Sequence, residues 1–109
     1  MELWKLLDIR PGLTAVIGSG GKTSLLRVLA QELSLRGSVL LATTTHIMRP
    51  DWCPFAETEA ALRAAFARSP IACAGAFTPE GKLTAPNFPG WQTAADFVLV
   101  EADGSRRLP

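Results

Sequence analysis

Hydrophobic positions along the chain gather into short apolar runs, separated by glycine, proline and polar turns. Two of the stretches between them carry helical periodicity. Leu13 to Ile17 is an apolar run of strand length bounded by Gly18. It shows no in/out alternation, as expected of a strand covered on both faces. Leu25, Leu26, Leu29 and Leu33 then recur at helical spacing. Residues 22–36 therefore read as a helix, with Gly37 where a C-terminal glycine cap belongs. Val39 to Thr43 reads as a second strand. Strand, helix and strand within about 30 residues make a βαβ unit, whose two strands run parallel.

Outside this unit the pattern is looser. Residues 2–9 can form a short amphipathic helix that Arg10-Pro11-Gly12 ends. Residues 49–54 read as a loop. Glu57 to Arg68 predicts a helix built largely on alanine, with Leu62 and Phe66 at i, i+4 spacing as its core contacts. Ile71 to Ala74 is a short strand. The prolines and glycines of residues 78–90 predict a loop or at most a small hairpin. Gln92 to Asp96 has room for one helical turn, and Phe97 to Val100 is a final buried strand. The expectation is one α/β domain over residues 1–109, with a mainly parallel sheet. No crossover helix follows the last strand, so the domain reads as partial, the N-terminal part of something larger. On that reading Val98 and Val100 would keep an exposed flank.

Composition narrows the function classes. The 109 residues are 48% hydrophobic and 19% charged, which excludes a disordered tail, a collagen-like repeat and a coiled coil. Eleven Lys+Arg against 10 Asp+Glu leave a net charge of +1, no footprint for nucleic acid or an anionic membrane. No apolar run approaches the ~20 residues that span a bilayer, and MELWKLLDIR lacks a signal-peptide core. A cytoplasmic protein is the expectation. Cys53 and Cys73 form no CxxC, so reduced thiols are expected in place of a disulfide or a zinc site.

The strongest chemical signal is Gly18-Ser19-Gly20-Gly21-Lys22-Thr23-Ser24, set between a buried strand and a helix. Glycines let backbone N–H groups converge on a phosphate, and the helix start adds unpaired donors and the positive end of its dipole. Lys22 would reach the terminal phosphates of a nucleoside triphosphate, ATP or GTP, and Thr23 would ligate its Mg²⁺. Val16 stands where the usual GxxxxGK[ST] pattern has its first glycine, so this is the shorter GxxGK[ST] form. An ordinary glycine-rich turn with a surface lysine is the plainer alternative. Glu101 and Asp103 follow the last strand, where an acid can hold Mg²⁺ or its water. Asp103 could instead cap the turn before Gly104. If the domain performs phosphoryl chemistry, Lys22 and Glu101 are its catalytic candidates. Thr43-Thr44-Thr45-His46 ends the second strand at the same sheet edge. Its hydroxyls could bind phosphate, water or metal, or could reflect β-propensity alone. His46 reads as structural, Arg106 and Arg107 as solvated, and the three tryptophans as core or lid residues.

The strand ending in GSGGKTS, the LLATTTHI strand and VLVEADGSRRLP together resemble the YqeC family of selenium-dependent hydroxylase accessory proteins. The resemblance runs from Leu13 to Pro109. It implies a P-loop NTPase-like three-layer fold, with Gly18 to Thr23 binding phosphate and Glu101 and Asp103 forming the acidic strand end. It also implies a partner: a selenium-dependent molybdenum hydroxylase or the proteins that mature its cofactor. The short loop and the acid-ended strand are shared with Mur-type ligases and folylpolyglutamate synthetases. An ATP-dependent ligase-like enzyme is therefore one alternative, and a nucleotide-dependent metallochaperone switch another. A ligase would couple ADP formation to an amine and a carboxylate, whereas a switch would hydrolyse slowly until its partner stimulates it.

Overall fold

Apolar runs and helical stripes settle into an α/β arrangement in the computed structural model, which describes Lys5 and residues 8–18, 22–43, 53–80 and 83–103. The first run forms strand β1, Gly12–Gly18, followed by helix α1, Lys22–Leu33, and strand β2, Val39–Thr43. A two-residue strand β3, Phe55–Ala56, leads into helix α2, Glu59–Arg68, and strand β4, Ile71–Ala74. Strands β5, Ala76–Phe77, and β6, Leu83–Thr84, pair antiparallel as a small separate hairpin. A 3₁₀ turn at Trp91–Thr93 precedes strand β7, Phe97–Asp103.

The main sheet has the order β1-β7-β2-β4-β3, and every neighbouring pair is parallel. The βαβ unit is present, but β7 lies between its two strands. Position parity then separates two apolar clusters. Val39, Leu41, Cys73, Phe97 and Leu99 pack with Leu26, Leu29, Ala30 and Leu33 of α1. Leu40, Ala42, Ala72, Ala74, Val98 and Val100 pack with Leu62 and Ala65 of α2, with Phe88 and Trp91 against them. One helix thus covers each face of the interior strands. The expectation that β1 is covered on both faces does not hold: it is an edge strand, with Leu13 50% exposed and Ala15 exposed.

Several expectations need correcting. Val98 and Val100 keep no exposed flank: they are 0% and 6% exposed, because β7 is an interior strand with a neighbour on each side. Glu101 and Asp103 belong to β7 and do not follow it, since ladders to both neighbours carry the strand past its last valine. Helix α2 begins at Glu59 and not at Glu57, because the Thr58 side chain caps it by accepting from Ala61 N–H at 3.1 Å. Helix α1 stops at Leu33, and residues 34–36 form turns. Gly37 donates to Leu33 C=O without the left-handed backbone of a glycine cap. Its missing side chain has a different cause, since a Cβ there would lie 2.9 Å from Asp96 Cβ. The turn near residue 92 is shorter than expected, and β3 was not legible at all. The N-terminal helix expected over residues 2–9 lies almost wholly outside the described residues, as do Thr44 to Trp52.

Candidate functional site

The glycine-rich segment is bracketed at both ends. Gly18 is the last residue of β1 and Lys22 the first of α1, so the connection between strand and helix is the three residues Ser19, Gly20 and Gly21. These three lie outside the described residues. Thr23 and Ser24 fall in the first turn of α1, where backbone N–H groups lack intrahelical acceptors.

The two helices begin in opposite electrostatic states. Helix α2 is complete in itself, with a Thr58 cap, Glu59 in its first turn and Arg68 in its last. Those charges complement its dipole. Helix α1 has no acidic residue in its first turn and no basic residue in its last. It opens on a lysine, so positive charge meets the positive end of the dipole. An anion placed there would relieve that opposition.

Sheet register brings the sequence-distant candidates to this helix start. Gly18 pairs with Asp103, Val16 with Glu101, and Glu101 also with Thr43. The acid-bearing end of β7 therefore lies directly beside the strand that feeds the glycine loop. Positions 101 and 103 are in phase with Phe97 and Leu99, whose cluster packs under α1. Positions 23, 101 and 103 supply hydroxyl and carboxylate oxygens, the donor types a hard cation such as Mg²⁺ takes. Gly18, Lys22, Thr23, Ser24, Glu101 and Asp103 are thus gathered by the backbone at one sheet edge. His46, Arg106 and Arg107 lie outside the described residues.

The described junction of Ser38 and Asp96 serves structure. At the opposite sheet edge Asp96 accepts from Ser38 N–H at 3.1 Å, and Asp96 N–H donates to Ser38 Oγ at 3.0 Å. Gly12 N–H donates to Asp96 C=O and Phe97 N–H to Ser38 C=O, both at 2.9 Å, so this junction ties the starts of β1, β2 and β7. Cys53 and Cys73 form no disulfide, as expected. Burial pushes the Cys53 thiol up to about 11, which makes it a poor nucleophile at neutral pH. A groove of about 260 Å³ separates α2 from residues 88–94, lined by Leu62, Arg63, Phe66 and Phe88 among others. It lies on the α2 face, away from α1. Among the described residues no three His, Cys, Asp or Glu gather to hold a metal, and no helix is long and apolar enough to cross a membrane.

Comparison with known proteins bears on the same stretch. The profile of a family described as YqeC protein matches residues 14–109. The chain is also similar to "Uncharacterized protein YqeC" of Escherichia coli (strain K12), at 38% identity over 115 aligned residues, covering 92% of this chain. It spans 43% of that relative's length. No solved structure matches.

Proposed function

Because the chain belongs to the YqeC family, matched from residue 14 to residue 109, we propose that it binds a nucleoside triphosphate with Mg²⁺. Its role on this reading is cytoplasmic, in maturing selenium-dependent molybdenum hydroxylases or their cofactor. The observation that carries the nucleotide reading is the β1–β7 register, which sets Asp103 beside Gly18 and Glu101 two positions back beside Val16. The strand that feeds the glycine-rich segment and an acidic strand end from a distant part of the sequence become neighbours in that pairing, which supports the reading.

Each residue then has a physical task. Backbone N–H groups of the Gly18–Thr23 stretch hold the phosphates, and the α1 dipole favours their charge. Lys22 neutralises the terminal phosphates, which removes the charge conflict at its own helix start. Bound Mg²⁺ would supply charge neutralisation between phosphates, with Thr23, Glu101 and Asp103 as the residues to hold it or its waters. Any phosphoryl transfer would draw on positioning and electrostatic stabilisation by Lys22 and Glu101.

Titration with ATP, GTP and CTP, each with and without Mg²⁺, is the direct test. Binding should require the triphosphate and strengthen with Mg²⁺. Lys22→Ala should weaken it by at least ~1.5 kcal/mol, the low end for a charge-assisted contact. Equal affinity in that variant would remove the assignment.

A further inference from the structure

The sheet edge holding the glycine loop and the acids has a third contributor. Thr43 is the last residue of β2 and pairs in parallel register with Glu101, which pairs on its other side with Val16. One row, Val16–Glu101–Thr43, therefore crosses three strands, each about 4.8 Å from the next. Position 43 is also in phase with Val39 and Leu41, and position 101 with Phe97 and Leu99, all four members of the cluster under α1. The two positions thus share the sheet face on which α1 begins. Residues 39 to 42 are apolar and at most 4% exposed, and the polar residue arrives only at the strand's end.

We infer that Thr43 is a positioning residue of the nucleotide site, its hydroxyl serving the hydrated magnesium of a bound Mg²⁺–triphosphate together with Glu101. This rests on the nucleotide reading above. The chemistry is specific to a neutral oxygen donor. A hydroxyl can both donate and accept, so it can bond a metal-held water or offer the metal an oxygen without adding a second negative charge beside Glu101. Mg²⁺ keeps several waters when bound, so such outer oxygens have a defined task. Glu101 and Thr43 would approach the ion from adjacent strands.

Thr43→Val tests this, because it removes the hydroxyl while keeping the β-branched shape that suits the strand. Nucleotide affinity is measured with Mg²⁺ and with EDTA, and Mn²⁺ binding to the nucleotide complex is followed by electron paramagnetic resonance. The expected result is about a tenfold loss of affinity with Mg²⁺, no change in EDTA, weaker Mn²⁺ retention, and recovery in Thr43→Ser. Should the valine variant not melt cooperatively, Thr43→Ala goes through the same measurements. Unchanged Mg²⁺ dependence in a folded variant, alongside weakened binding by Lys22→Ala, overturns the role of Thr43 and leaves the nucleotide reading standing. Equal losses with and without Mg²⁺ also overturn it. A wild-type chain that binds no nucleotide removes both.

Discussion

Gly37 illustrates how one missing side chain locks two distant segments. A Cβ there would meet the carboxylate and Cβ of Asp96, the residue that bonds Ser38 in both directions and accepts from Gly12 N–H. The glycine is therefore set by close approach of a side chain from beyond the helix end, and a reading of residues 22–37 alone has no access to that neighbour. Gly37→Ala should lower stability by about 1–3 kcal/mol, the range for overpacking, measured as a shift in denaturant midpoint. Asp96→Ala should lose about 0.5–1.5 kcal/mol from its own hydrogen bond. Because it also vacates the space, the double variant should lose less than the sum of the two. A strictly additive result would show that the approach is not what excludes a side chain at residue 37.

Helix α2 is stabilised locally, whereas α1 relies on burial. Thr58 caps α2, and the Arg63 to Glu59 bond of 2.9 Å lies exposed, so the cap outweighs the ion pair. Thr58→Ala should cost about 1 kcal/mol and Thr58→Ser nearly nothing, read from thermal unfolding by circular dichroism. A similar fall in both variants would mean that the hydroxyl is not the capping group. In α1, Leu29, Ala30 and Leu33 are fully buried, and its start holds no compensating acid. These differences explain what was legible. The strands β1, β2, β4 and most of β7 declare themselves as apolar runs, and α1 as a leucine stripe. Phe55–Ala56 is too short to carry a period. The last three residues of β7 follow the ladder of their neighbours and not their own hydropathy. The glycine-loop residues could be proposed from sequence because the chemistry expected of them is local. That Thr43 stands beside Glu101 could not, since strand order leaves no trace in periodicity.

At the scale of the whole sheet, the strand that completes its interior comes after the other described strands in sequence. Gly12 pairs with Phe97 and Val39 pairs with the same Phe97, so β1 and β2 meet only through β7. Both apolar clusters also contain its residues: Phe97 and Leu99 on one face, Val98 and Val100 on the other. The order in which a ribosome delivers the chain then matters. While residues before 97 emerge, β1 and β2 have no partner at their shared gap and each face of the core lacks its central side chains. Local helix can form in that interval, but the sheet cannot close, and the pairing that closes it spans most of the sequence. Such non-local closure slows folding and leaves strand edges open to other chains until it is done. A chain ending at Asp96 should accordingly show helical circular dichroism without a cooperative melt, and should refold only when a peptide carrying Phe97 to Asp103 is supplied. A cooperative melt from the shortened chain alone would mean that β1 and β2 can pair directly. The same seven-residue strand that sets positions 101 and 103 beside the end of β1 is thus the one that joins β1 to β2, so on the nucleotide reading the proposed site cannot assemble before that strand pairs.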